Sequence, residues 1–296
     1  MYKKGFNYMG SKFRLMPQIK PFFPRNIGTF YDLFGGSGTV SMNIKAKKYV
    51  VNDLSNHVYN LYNMFKTKSA DEIISYCYEM RDKFGFSADE TVKTKIAELN
   101  KKPYEICRNY MNENPSALGY YFLTFYSFCN QFRFNKGKFN MPVGNGYFKK
   151  ECEKPIKDMC KFFSQENVEI YNLSYTSFKD FDEDCFVYMD LPYSNTDAVY
   201  NENRELEGWT EKNDYEFFQY CEDLNRRGIK FAISNVFCNK DVKNEHLVEW
   251  CEKNNWEVHH LNMTYATHWH TFDDYVSNTD EVLICNYKLE NSIFLF

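Results

Sequence analysis

Apolar residues recur along this chain with two different periods. Seven short runs rich in β-branched and aromatic side chains read as strands: Phe30–Leu33, Tyr49–Asp53, Val168–Leu173, Cys185–Asp190, Ile229–Ser234, Trp256–Met263 and Glu281–Tyr287. Between them, apolar positions repeat at helical spacing. Helices are predicted from the glycine cluster at Gly35–Gly38 to about Lys48, over Leu54–Phe65, over Asp214–Arg227 with Thr210 as its cap, and over Lys243–Asn254. Alternating strands and helices predict an α/β domain. Ser234-Asn235 is expected to close its strand. The alternation fails between residues 66 and 164, where helical patterns such as Ala70–Phe84 and Thr91–Leu99 dominate. That stretch reads as a mostly helical insertion, leaving residues 1–65 and 165–296 to build the sheet. Gly137, Pro142, Gly144 and Gly146 punctuate its later part as a hairpin or loop.

A chain of 296 residues, 44% hydrophobic and 26% charged, suits a folded α/β domain carrying an insertion. No apolar run approaches the roughly 18 residues of a membrane span, and no signal-peptide core follows Met1-Tyr-Lys-Lys. The ten cysteines show neither C-x-x-C pairing nor metal spacing, so reduced and mostly buried thiols in a cytoplasmic protein are expected, with no metal. The net charge of −4 hides a segregation. Residues 1–31 carry Lys3, Lys4, Lys12, Arg14, Lys20 and Arg25 and no acid; residues 119–150 carry Arg133, Lys136, Lys138, Lys149 and Lys150 and no acid. Concentrated positive charge of this kind suits a phosphate-binding face.

Candidate chemistry sits at predicted strand ends. The run through Met189 stops on Asp190-Leu-Pro-Tyr193. In an open α/β sheet, ligands bind beyond the carboxyl ends of strands. There an acid supplies acceptors, a proline stiffens the chain and a tyrosine offers a flat face, a set suited to a planar ring bearing an amine. Phe34-Gly-Gly-Ser-Gly38 lets backbone approach a ligand closely. Three readings compete: a dinucleotide fingerprint, whose third glycine is missing, a P-loop, whose lysine is missing, and the aromatic-glycine-x-glycine turn that methyltransferases place at the nucleoside end of S-adenosylmethionine. Asp53 follows Gly35 by 18 residues, a spacing suited to ribose hydroxyls, and also to capping the next helix. Tyr8 and Lys12 flank Gly10 closely enough to reach one ligand. In the insertion, Asn130 to Gly146 interleaves arginine and lysine with phenylalanine and asparagine. Asparagine and arginine read base edges, lysine holds phosphate, and Phe128 or Phe132 either wedges into a base step or, with the other aromatics of a structured hairpin, faces the core. His268 and His270, two apart and without a third ligand, read as loop residues.

Taken together and in order, these pieces resemble the D12-class, Dam-type adenine-N6 DNA methyltransferases over nearly the whole chain. The resemblance rests on Asn7-Tyr-Met-Gly-Ser-Lys12, Asp32-Leu-Phe-Gly-Gly-Ser-Gly38, Asn52-Asp53 with Asn60-Leu-Tyr62, Arg133-Phe-Asn-Lys-Gly-Lys-Phe-Asn-Met-Pro-Val-Gly144, Asp190-Leu-Pro-Tyr193 and Ser234-Asn235. It implies a Rossmann-like S-adenosylmethionine-dependent methyltransferase with a seven-stranded sheet. The insertion, 66–164, would then be a target-recognition domain for double-stranded DNA. The implied catalytic residues are Asp190, Leu191, Pro192 and Tyr193. The implied cofactor residues are Tyr8 and Lys12 at the methionine end, Asp32, Phe34, Gly35, Gly36, Ser37 and Gly38 at the turn, and Asp53 at the ribose. Ser174 and Tyr175 would meet the adenine edge, and Asp190 the methionine ammonium. Implied DNA contacts are Phe128, Asn130, Arg133, Asn135, Lys136, Lys138 and Asn140. One departure stands out: the family's usual Asp-Pro-Pro-Tyr has Leu191 in place of its first proline. The backbone carbonyl survives that change, while the pre-set φ is lost, an effect of about a kcal/mol. An acceptor other than DNA, or a catalytically impaired DNA-binding relative, are the alternatives.

Overall fold

The computed structural model describes residues 1–296 except 3–4, 9, 89–94, 193–208, 240–241, 263–278 and 289–296. After a short helix α1 (Met16–Ile19), the chain builds β1 (Thr29–Asp32), α2 (Thr39–Asn43), β2 (Lys48–Asn52) and α3 (Asn56–Thr67). Then come α4 (Ala70–Phe84), α5 (Ile96–Glu113), α6 (Ala117–Thr124), the hairpin β3 (Phe134–Asn135) with β4 (Lys138–Phe139), and α7 (Glu153–Phe163). The sheet resumes with β5 (Val168–Tyr171) and β6 (Phe186–Met189). It is completed by α8 (Glu211–Arg226), β7 (Lys230–Asn239), β8 (Val242–Lys243), α9 (Glu245–Asn254), β9 (Glu257–Leu261) and β10 (Asp280–Cys285).

The main sheet runs β5-β2-β1-β6-β7-β10-β9, with β8 pairing only with β7. The seven expected strands are all present, and β8 adds a short eighth. From β5 to β7 every pairing is parallel; β10 is antiparallel to both β7 and β9. The fold is therefore Rossmann-like. After β1 the chain moves outward through β2 to β5, then returns to the other side of β1 through β6 and β7. The reversal opens a crevice at the carboxyl ends of β1 and β6, where such sheets bind ligands.

Side chains alternate across this doubly covered sheet. Phe30, Tyr49, Val51, Phe186 and Tyr188 enter one core with α3, α6 and α7. Tyr31, Val50, Val187 and Met189 enter the other, with Phe217 and Leu224 of α8 and Trp250 of α9. The first core continues without a break into the segment between α3 and β5, through Cys77, Tyr104, Tyr121, Phe122 and Phe134. That segment thus leans on the sheet domain's own apolar face.

Three local expectations are corrected. The helix after the glycine turn ends at Asn43, not near Lys48, because the chain turns extended at Ile44. The Tyr49 hydroxyl closes that turn, donating to Ile44 O at 3.0 Å and accepting from Ala46 N at 3.0 Å. Strand β7 does not stop at Ser234-Asn235; its antiparallel partner β10 carries pairing on to Cys238. Ser55, not Asp53, caps α3, accepting from Val58 N. The helix expected over Thr91–Leu99 lies partly outside the described residues, and the described helix is Ile96–Glu113. All ten cysteines are free, six of them buried. Among the described residues no helix is long and apolar enough to cross a membrane, and no His, Cys, Asp or Glu cluster could hold a metal.

Candidate active site

The crevice is floored by the turn from Phe34 to Gly38. Gly36 and Gly38 have φ of +51° and +68°, the left-handed region that glycine tolerates. At Gly35 the constraint is space: a Cβ there would lie 2.7 Å from the Tyr62 hydroxyl and 2.9 Å from Val51 Cγ1. Backbone and side-chain bonds hold the turn. Gly35 N donates to Asn52 O at 2.7 Å and Gly38 N to Gly35 O at 2.7 Å. Gly36 N donates to Asp53 Oδ2 at 2.8 Å, and the Tyr62 hydroxyl donates to Gly36 O at 2.7 Å. Tyr8 lies over the turn, its ring 3.1 Å from where a Gly36 Cβ would be. Ser37 is buried and shares a 2.7 Å hydrogen bond with the Thr39 hydroxyl.

Three carboxylates and one ammonium group gather around this floor. Asp32, 1% exposed, accepts from the Ser41 hydroxyl at 2.6 Å through Oδ2. Its Oδ1 is buried with no hydrogen-bond partner among the described residues. This carboxyl is pushed up to about 7, first by burial and then by the charges of Asp190 and Asp53, with the Ser41 bond opposing them. Asp53 accepts from Gly36 N and, at 2.9 Å, from Ser55 N. Burial holds it at about 6 against those two N–H donors. Lys12, only 4% exposed, reaches Asp190 Oδ1 at 2.8 Å and Gly10 O at 3.0 Å. A buried acceptor without a partner among the described residues and three acids beside one cation give the crevice a chemistry suited to a cationic group.

Asp190 follows β6 directly, at the crevice between the two halves of the sheet. Leu191 turns its side chain into the second core, and Pro192 is half-buried. Tyr193 lies outside the described residues, as do His268 and His270. Beneath Asp190, the Tyr188 and Ser234 hydroxyls share a 2.6 Å hydrogen bond across β6 and β7.

Asn172 and Trp209, which no sequence pattern singles out, join Asn52, Phe34, Ser174 and Tyr175 in shaping the crevice. Buried Asn52 donates to Leu33 O at 2.9 Å and Leu173 O at 3.0 Å and accepts from Leu173 N at 2.9 Å. One amide thereby ties the carboxyl ends of β1, β2 and β5 together. Asn172 adds bonds to Asp53 O at 2.8 Å and Leu54 O at 2.9 Å. Phe34 and Tyr175 pack at 5.5 Å between ring centroids, and Trp209 meets Phe34 at 6.1 Å. The Trp209 indole is fixed by donating to Asp214 Oδ1 at 2.7 Å. Ser174 accepts from Thr176 N beside this cluster.

The basic segment supplies a separate surface. Asn135, Lys136 and Lys138 are exposed at the hairpin tip, where Lys136 (φ +50°) and Gly137 (φ +70°) form its two-residue turn. Phe128 is also exposed, at 46%. Phe132, by contrast, is core: it is buried against Phe6 at 5.9 Å and Phe134 at 4.9 Å between centroids, which removes it as a wedge. Asn130 is turned inward, donating to Thr124 O and Phe125 O at 3.0 and 3.1 Å. Arg133 Nε donates to Asn140 Oδ1 at 3.1 Å, so these two face each other across the hairpin's base.

A family profile described as D12 class N6 adenine-specific DNA methyltransferase matches residues 8–267. The chain is 32% identical over 291 residues to the type II methyltransferase M.FokI of Planomicrobium okeanokoites, covering 96% of this chain and 43% of that protein. It is 31% identical over 295 residues to modification methylase StsI of Streptococcus sanguinis, covering 97% and 43% respectively. With the DNA adenine methylase of Escherichia coli (strain K12) it shares 26% over 232 residues, 77% of this chain and 78% of that one. The chain thus spans less than half the length of the first two relatives.

Proposed function

Because the chain belongs to the D12 class of N6 adenine-specific DNA methyltransferases, we propose that it transfers a methyl group from S-adenosylmethionine to N6 of an adenine flipped out of a short, specific DNA sequence. The observation that carries this reading is the position of Asp190, beyond β6 at the switch point of the sheet and ion-paired to Lys12 at 2.8 Å.

Three features support the cofactor. The unpartnered Asp32 Oδ1 suits an ammonium group. The turn after β1 takes left-handed backbone at Gly36 and Gly38, a shape that lets main chain approach a ligand closely. Asp32, Asp53 and Asp190 set against Lys12 suit a ligand with net positive charge. When bound, S-adenosylmethionine supplies an electrophilic methyl group on a sulfonium. Tyr8 would pack against its methionine end, Asp53 would meet the ribose, and Phe34, Ser174 and Tyr175 the adenine.

The exocyclic amine of adenine is a weak nucleophile because its lone pair is delocalised into the ring. Asp190 and the Leu191 carbonyl would accept its two N–H bonds and favour a pyramidal nitrogen. As the nitrogen–methyl bond forms and the methyl–sulfur bond breaks, positive charge builds on that nitrogen, the Asp190 carboxylate stabilises it, and the nitrogen then loses one N–H proton to solvent. The side chain of Leu191, anchored in the second core, fixes its backbone in the role usually given to a proline. In-line positioning contributes the rest. A base inside a duplex is out of reach, so it must flip at a cost of a few kcal/mol. The exposed tip at Asn135, Lys136 and Lys138, with Phe128, is the proposed DNA face.

Labelled S-adenosylmethionine offered in parallel to DNA, RNA and total protein tests this reading. Label in DNA alone is expected. Label in RNA or protein would reassign the acceptor, and cofactor binding without transfer would mark an inactive relative.

A further inference from the structure

The β3–β4 hairpin is too small to hold its own shape. It has only two register pairs, Phe134 with Phe139 and Asn135 with Lys138, and an isolated two-stranded hairpin is marginal in water. Its shape therefore depends on the neighbours that hold it. A two-residue turn makes Asn135–Lys138 the hydrogen-bonded pair and Phe134–Phe139 the non-bonded one. The N–H and C=O of Phe139 therefore point away from β3. Asn112 of α5 takes both: its Oδ1 accepts from Phe139 N at 2.8 Å and its Nδ2 donates to Phe139 O at 3.1 Å. One side chain thus does the work of a third strand.

Two more side chains on the same face of α5, one and two turns back, extend this grip. The Tyr104 hydroxyl donates to Met141 O at 2.8 Å, and Arg108 Nη1 donates to the same oxygen at 3.0 Å. The outgoing limb is held separately. Phe134 stacks on His57 of α3 at 3.5 Å between centroids and 5° between planes. His57 lies four residues beyond Asp53, so α3 ties the hairpin to the floor of the crevice.

We infer that Asn112 is a specificity-positioning residue: with Tyr104 and Arg108 it sets the register in which the hairpin tip meets the bases beside the target adenine. The inference rests on the DNA-methylating reading above and goes beyond it, because Asn112 touches neither base nor cofactor. It acts through Phe139, three residues from the tip's Lys136. Loosening the mount lets Asn135 and Lys138 take several poses, and discrimination falls while the methyl-transfer machinery stays intact.

A randomised duplex library serves as substrate, so the test works whatever the target sequence is. Wild type and Asn112→Ala methylate the library, and the methylated fraction is sequenced at matched total incorporation. Alanine leaves the buried Phe139 N–H and C=O without their partner, so the thermal midpoint is measured alongside and the profile is read from the folded fraction. The preferred context should broaden, with single-base neighbours gaining about tenfold relative to it, while cofactor affinity stays unchanged. Tyr104→Phe, which removes one of two donors to Met141 O and keeps the buried ring, should broaden the same positions less. A merely structural role would lower the yield of active enzyme and leave the profile alone. Unchanged profiles in both variants, with active wild type, would overturn the inference by itself. A wild type that methylates no library member would instead overturn the reaction it rests on.

Discussion

The glycine turn and the β3–β4 hairpin lie at opposite extremes of construction. The turn is made by the sheet. Strand ends converge on it, Asp53, Asn52 and Tyr62 pin its backbone, and Gly35 leaves no room even for a methyl group. The hairpin is mounted from outside, through side chains of α3 and α5, and its tip is exposed. One arrangement suits a ligand that never changes, and the other suits a reading head whose contacts can change without disturbing the chemistry. Substitutions in the turn should therefore damage binding and stability together, whereas substitutions at the hairpin should alter selection and leave turnover.

The largest effect is expected at the crevice. Asp190→Asn should lower kcat by about a thousandfold, because a neutral amide cannot stabilise positive charge growing on the target nitrogen. Single-turnover kinetics with saturating cofactor measure it, and a loss confined to KM would break the assignment. Next comes Gly35→Ala. Its Cβ would stand 2.7 Å from the Tyr62 hydroxyl, overpacking that costs about 1–3 kcal/mol. A lower thermal midpoint with weaker cofactor binding is expected, and unchanged values would show the turn to be looser than its contacts imply.

A smaller effect follows from Asp32. Burial holds this carboxyl at about 7, above the ~3.9 of an unfolded chain. Between those values the folded protein binds the extra proton, so Asp32 costs stability progressively as pH rises through the window. A bound ammonium favours the carboxylate and releases that proton. Cofactor affinity should therefore strengthen, by at most about tenfold per pH unit, up to pH ~7 and level off above it. Asp32→Asn should flatten this part of the profile. Calorimetric titrations in buffers of different ionisation enthalpy would also detect the released proton. The mildest change is expected at the tip: Lys138→Ala should weaken binding to all sequences alike and reduce the salt slope by about one. Asn135→Ala should relax context preference instead, and identical methylation profiles would remove Asn135 as a base reader.

The same contrast explains what could be read from the residues alone. Phe34–Gly38, Asp53 and Asp190 are local signals, each a glycine cluster or an acid closing an apolar run, and strand-end chemistry of this kind survives in one dimension. Asn52 and Asn112 are not local. Their partners are backbone groups 121 and 27 residues away, and nothing in the type or spacing of an asparagine announces such a bond. Phe132 was open between wedge and core for a related reason. The acid-free charge around it suggested an exposed segment, but Phe132 and Phe134 share a face that meets α3 and the N-terminal segment, and burial of aromatic area prevailed. The helix expected to reach Lys48 fell to a single hydroxyl, that of Tyr49, which closes the chain into a turn first.

The central claim is the transfer of a methyl group to N6 of adenine under the control of Asp190. Unmethylated bacterial DNA, incubated with the protein and labelled S-adenosylmethionine and then digested to nucleosides, tests it most directly. Label in N6-methyldeoxyadenosine is expected with wild type and none with Asp190→Ala. Label in N4-methyldeoxycytidine, or label that persists in the alanine variant, would contradict it.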